Sequence, residues 1–281
     1  VCRKGTQKVK RTQFVVVGRH VLLPITIGFL ISQGFALVVD PSQVDQDNPV
    51  FVLAGAEVHN RDAAYKLLDE LRTVQSKDWP VLLLSSSSVY SDRDYALNLR
   101  EVEPMDEAQG HVITSPLDES AVRPLTSLLA EHMFVQRPTG KTVVVRPFNV
   151  YGPTCTHGVV NKFMKQARGN HPLLVDHPGR QIRTFLWEED FTAAIGVLVQ
   201  RLLKGHRGIY NVGSDEQVEI LSLAKSVGHA FEKDIEIVTV EPIERHAWWK
   251  VPSLDRLRID GKWKPKVSLR SGLFLMARGN V

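Results

Sequence analysis

Several short runs of this 281-residue chain are almost wholly apolar and rich in β-branched residues. They are Gln13 to Val17 (QFVVV), Phe35 to Val39 (FALVV), Val50 to Leu53, Val81 to Leu84 and Thr142 to Arg146. A strand with one wet face alternates polar and apolar residues. Runs without that alternation predict strands buried on both faces, as in a parallel sheet covered by helices. The stretches between them supply such helices. Pro24 suits a first helical turn, with Ile25 to Gln33 continuing to a stop at Gly34. Arg61 to Val74 sets Ala64, Leu67, Leu68 and Leu71 at helical spacing, and Pro124 to Gln136 predicts another helix. Beyond Phe148 the pattern predicts helices at Val159 to Arg168, Phe191 to Leu203 and Ile220 to Phe231, and strands at Gly208 to Val212 and Ile235 to Val240. The fold class expected is α/β, a doubly wound parallel sheet followed by a smaller α/β portion.

Composition narrows the function classes. Hydrophobic residues make up 43% and charged residues 23%, ordinary for a globular protein. The longest apolar stretch, Val21 to Ile31, is too short to span a bilayer and contains Pro24. Cys2 and Cys155 form no disulfide framework, and His157, His171 and His177 read as loop residues, so no metal site is expected. The net charge of +4 is concentrated at the ends, around Lys8, Lys10 and Arg11 and around Lys262, Lys264 and Lys266. Such termini are either solvated or contact an anionic partner such as RNA.

A series of ordered strings resembles the nucleotide-sugar epimerase/dehydratase family of extended short-chain dehydrogenases, particularly its dehydratase and UDP-glucuronate decarboxylase branches. The strings are Val50 to Gly55 (VFVLAG), Ser85 to Tyr90 (SSSSVY), Arg146 to Pro153 (RPFNVYGP), Arg183 to Leu186 followed by Asp190, Gly208 to Ser214, and Trp263 to Leu269. The resemblance implies a Rossmann-like NAD-binding domain over 1–148, interlaced with a substrate-type domain over 149–281.

Against that family the machinery is degraded. A G-x-x-G-x-x-G turn lets backbone approach a pyrophosphate at a helix N-terminus. Matched by the helix and Gly34, its three positions fall on Val17, His20 and Leu23, with Gly18 only adjacent. Asp40 stands where the family's acid holds the ribose, but also reads as a strand-end turn residue. The helix and strand that the family inserts after it are replaced by the linker Pro41 to Asn48, which strips one sheet edge and predicts a partner or a folded-over terminus there. The Tyr and Lys of hydride chemistry become Arg123 and Ser127. Ser86 keeps the Ser/Thr place, while Ser87 and Ser88 replace the acids of elimination and decarboxylation. Asn149 and Arg183 remain as substrate-side matches.

The sequence therefore predicts a non-catalytic relative without a cofactor, an accessory or structural subunit that binds other protein subunits. Its expected location is the mitochondrial matrix or cytoplasm, and the initial Val1 fits a processed chain. Two alternatives stand beside it. One is an NAD-dependent nucleotide-sugar enzyme in which Tyr90, Tyr95 or Tyr151 replaces the missing acid and Lys141 the lysine. The other is an RNA-binding accessory protein using the basic termini.

Overall fold

The computed structural model describes residues 11–90, 105–108, 121–138, 140–242 and 248–279. Strands β1 (Gln13–Arg19), β2 (Ala36–Val38), β3 (Val50–Ala56), β4 (Val81–Leu84), β5 (Thr142–Pro147) and, later in the chain, β10 (Gly208–Val212) form one sheet. Its order is β10-β5-β4-β3-β1-β2, and every neighbouring pair is parallel. The expected parallel, Rossmann-like α/β fold is what the chain adopts.

The apolar runs are explained by two-sided burial. Along β3, Phe51 and Leu53 face one core with Phe14, Leu82 and Val143, while Val52 and Ala54 face the other with Leu83 and Val144. The first core is closed by α1 (Leu23–Ser32) and α5 (Glu188–Leu203), through Leu30, Phe191, Leu198 and Leu202. The second is closed by α2 (Arg61–Gln75) and α3 (Val122–Val135), through Leu67, Leu71, Ala130 and Phe134. Helix α2 begins where sequence chemistry dictates: the Asn60 side chain accepts from the Ala63 N–H at 2.8 Å, and Leu67, Leu71 and Val74 form its buried stripe.

A smaller unit packs at the carboxyl end of the sheet. It comprises β6 (Val150–Tyr151), α4 (Val159–Arg168), β7 (Leu173–Asp176), β8 (Ile182–Arg183) and β9 (Leu186–Trp187). After β10 it continues with β11 (Val218–Glu219), α6 (Ile220–Ala230), β12 (Ile237–Val240), β13 (Trp249–Lys250), α7 (Asp255–Gly261) and α8 (Leu269–Arg278). Phe163, Leu173, Phe185, Leu223 and Leu273 form its core. Strand β7 and helices α7 and α8 go beyond what the sequence pattern predicts. Strand β7 (LLVD) is not the wholly apolar run of the central strands, and α7 is seven residues long, too short to establish a period.

Strand β2 lies at a sheet edge, and among the described residues nothing pairs with its outer side. Leu37 is 38% and Val39 85% exposed, so the edge is apolar as well as open.

Candidate functional site

In open parallel sheets, ligands bind beyond the carboxyl ends of the strands. There the turn from β1 into α1 carries Gly18, His20, Val21 and Leu22. Gly18 is held at φ +76°. Its strand partner is Gly55, and a Cβ at 18 would run into the Gly55 carbonyl oxygen and the Leu67 side chain. A Cβ at 55 would come within 2.7 Å of the Arg19 carbonyl carbon. The two glycines face each other because β1 and β3 are pressed together. Gly18 is thus more than a neighbour of a lost motif: the fold itself needs it.

The His20 ring folds into the turn and is 8% exposed. Its Nδ1 accepts the Leu22 N–H at 3.0 Å, which leaves the proton on Nε2 to be donated to the Ser85 carbonyl at 2.8 Å. Burial pushes the imidazole below its ordinary value, outweighing the nearby Glu57 and the Ser85 carbonyl. We read His20 as the neutral ring, since both of its bonds are those of one neutral tautomer.

Glu57 directly follows β3 and is 5% exposed. Its Oε2 accepts the Val21 N–H at 3.3 Å and lies 3.5 Å from His20 Nε2. Arg123 forms an ion pair with Oε1. Burial would raise this carboxyl, but the Arg123 guanidinium and the Val21 N–H hold it below its ordinary value. The negative charge at this helix entrance is therefore supplied by the chain's own carboxylate. Arg123 and Ser127 lie one turn apart on α3. Ser127 Oγ donates to the Ala56 carbonyl at 2.7 Å, so both α3 residues are tied to the end of β3.

The other expected site residues are placed as follows. Asp40 Oδ1 accepts the Ser42 N–H at 2.9 Å, as a strand-end turn residue does. Ser86 Oγ accepts the Ser88 N–H at 3.1 Å. Asn149, at φ +38°, donates from Nδ2 to the Thr184 carbonyl at 2.9 Å, which brings it beside the strand carrying Arg183. Arg183 donates to the Ile182 carbonyl at 2.8 Å. Among the described residues no group of His, Cys, Asp and Glu is arranged to hold a metal, and no helix is long and apolar enough to cross a membrane.

The residues offered as substitute catalysts do not converge. Tyr90 OH donates to Asn211 Oδ1 at 2.6 Å and accepts from Arg146 at 2.9 Å. Burial, only partly offset by Arg146, pushes its phenol up to about 12. Tyr151 is buried in the second unit's core, where loss of solvent raises its phenol as well. Lys141 precedes β5, at the opposite end of the sheet. Tyr95, Lys8 and Lys10 lie outside the described residues. Glu57 was not singled out from sequence. Its signal was a carboxylate set immediately after a buried strand run.

Residues 54–213 match the model of the NAD dependent epimerase/dehydratase family, more than half of the chain. The chain belongs to the NAD-dependent epimerase/dehydratase family. Among curated relatives of this family, UDP-glucuronic acid decarboxylase 6 of Arabidopsis thaliana is 31% identical over 206 residues, 70% of this chain and 56% of the relative. UDP-N-acetyl-alpha-D-glucosaminuronate decarboxylase of Bacillus cytotoxicus is 28% identical over 140 residues, 46% of this chain and 43% of the relative. The chain thus spans about half the length of the curated relatives it matches. Two solved structures share the family fold: dTDP-glucose 4,6-dehydratase of Bacillus anthracis with NAD (TM-score 0.72, 15% identity, 95% and 96% of the two chains) and UDP-glucose 4-epimerase of Thermus thermophilus with NAD (TM-score 0.72, 19% identity, 96% and 100%).

At the β1–α1 turn of this family member the backbone donors have partners within the chain itself. The Val21 and Leu22 N–H groups, which would face a diphosphate, are taken by Glu57 and His20. A diphosphate would also have to displace the Glu57 carboxylate from the Val21 N–H and from Arg123.

Because His20 is neutral when folded and takes a proton near 6.5 when unfolded, folding stability falls as the pH drops below about 6.5. Glu57 adds a loss of the same sign below its unfolded value of 4.5, as pH falls toward its lower folded value. The unfolding free energy of the wild type from urea titration, and with it the midpoint, is expected to fall between about pH 7 and 5, the free energy at a slope of up to ~1.4 kcal/mol per pH unit. His20→Gln flattens that interval. A midpoint equally steep in the variant would assign the effect elsewhere.

Proposed function

We propose that this family member lacks the family's hydride chemistry and serves as a non-catalytic structural or accessory subunit of a larger assembly. The observation that carries the reading is the Glu57 carboxylate seated at the entrance of α1, paired with Arg123 from the helix that bears the family's catalytic positions. Ser127 supports it, since its hydroxyl is committed to a backbone carbonyl. The open apolar edge at Leu37 and Val39 supports a protein partner.

A second reading is a working NAD-dependent nucleotide-sugar enzyme with displaced catalytic residues. The relatives speak for it: the curated relatives described above are named as decarboxylases, and the two solved structures are titled with NAD. On family comparison alone this reading has more support than an accessory role. What supports the first reading is local chemistry, in the side chains of one turn and one helix.

One experiment separates them. The purified protein is analysed for co-purifying dinucleotide, titrated with NAD, and incubated with NAD and UDP-glucuronate or dTDP-glucose. The expected result is no retained dinucleotide, no saturable NAD binding at millimolar concentration and no product. Retained NAD, or any turnover above a heat-treated control, overturns the proposal in favour of the enzyme.

A further inference from the structure

The fold gathers cations that are scattered in the sequence. In a parallel sheet the loops that precede the strands all emerge at the amino end, opposite the ligand crevice. Three such loops lie side by side, because β4, β5 and β10 are neighbours. The loop before β4 carries Lys77, Asp78 and Trp79. The loop before β5 carries Arg137 and Lys141, and the loop before β10 carries Lys204, His206 and Arg207.

Their side chains meet across the loops. Arg137 is buried and donates to the Lys77 and Trp79 carbonyls at 2.9 and 3.1 Å, tying the first loop to the second. The Lys141 ammonium occupies the space a Cβ at Gly205 would need, so the second loop lies against the third. Arg207 and Asp78 both lie close enough to act on the charge of Arg137. Lys77, Lys141, Lys204 and Arg207 are exposed, and among the described residues none of them forms an ion pair. Asp78 is the one carboxylate in these three loops.

The carboxyl-terminal ends of α2, α3 and α5 point at the same face, and their carbonyl dipoles favour positive charge there. That explains how the cations tolerate one another. It does not supply an anion to neutralise them. Trp79 stands half-buried among them, with the Lys77 ammonium 5.8 Å from its ring centre. Cations that track a backbone beside an aromatic face are the elements of a single-strand nucleic-acid site.

We propose that the amino-end face formed by the loops before β4, β5 and β10 binds single-stranded nucleic acid through its phosphates. Arg256 borders this face at Gly208, whereas the basic residues Lys264, Lys266 and Arg270 lie further along the chain. Lys266 accompanies Asp190 at the start of α5, and Lys204 follows its end. The 16-residue helix separates the two by about 24 Å.

The test uses the full chain and fluorescence anisotropy of a fluorescein-labelled oligouridylate about twenty nucleotides long, at roughly 50 and 200 mM KCl. Contact with about four phosphates predicts an affinity drop of roughly 50-fold between those salts. Charge reversal at Lys141, Lys204 and Arg207 (each →Glu) should weaken binding at least ~10-fold at low salt and reduce the salt slope by about 2. The matched reversal at Lys264, Lys266 and Arg270 should leave both nearly unchanged, with circular dichroism melts confirming that each variant is folded. Absence of binding at the lower salt overturns the proposal. So does an equal loss in both triple variants, or binding to phosphatidylserine vesicles without binding to the oligonucleotide.

Discussion

Replacing Arg146 with methionine should destabilise the protein by about 3–5 kcal/mol, among the largest single effects expected for this chain. Arg146 is 2% exposed and lies at the carboxyl end of β5. Its Nε and Nη2 bond the two oxygens of Glu131 at 3.0 and 2.6 Å, and Glu131 is 4% exposed. Ser85 Oγ donates to the same carboxylate, and Tyr90 accepts from Arg146 Nη1. Methionine fills much of the volume but removes the charge, so Glu131 stays buried with only the serine hydroxyl for company. Urea unfolding would measure the cost. Glu131→Gln in the Arg146→Met background should recover part of it, because the amide has no charge to bury. A single variant within about 1 kcal/mol of wild type would show that water reaches the pair. The network also joins elements distant in sequence: Tyr90 reaches Asn211, whose Nδ2 donates to the Met105 carbonyl at 2.8 Å.

Gly18→Ala is expected to be comparably severe. At φ +76° a side chain costs about 1–2 kcal/mol before any contact is counted. The added methyl would also overlap the Gly55 carbonyl oxygen, which is backbone of the central strand and cannot swing aside. Together these predict a loss of roughly 3 kcal/mol or more, or a melting temperature lower by roughly five degrees. Gly34→Ala is the control. It shares a positive φ of +86° but has open space around it, so it should show the conformational cost alone. If the two variants melted together, the close approach of β1 and β3 would not be what position 18 requires. The consequence reaches function, because a glycine retained for strand packing is no sign of a retained nucleotide site.

Much of the fold was legible in the residues. The strand runs Val50 to Leu53 and Val81 to Leu84 read correctly because burial on both faces leaves a continuous apolar signature. Helix α2 was legible because Ala64, Leu67, Leu68 and Leu71 recur at helical spacing, a local signal. Helix α4 matched its expected span, Val159 to Arg168. Strand β7 and helices α7 and α8 carry no local pattern of that kind, and β7 and α8 are held by packing against distant partners such as Leu223.

What the linear order determined by itself was local: which stretches are strands and helices, that the sheet is parallel, and which motif positions carry the wrong residue types. Only the tertiary structure decided what fills the space those changes left. Glu57, His20 and Arg123 are separated by tens of residues and become one cluster because parallel strands deliver their carboxyl ends to the same crevice. The same topology delivers the amino ends to the opposite face, where Lys77, Lys141 and Arg207 become neighbours. Charge neutralisation and charge accumulation depend on distances through space, and those distances are set by strand order, which no local pattern of residues encodes.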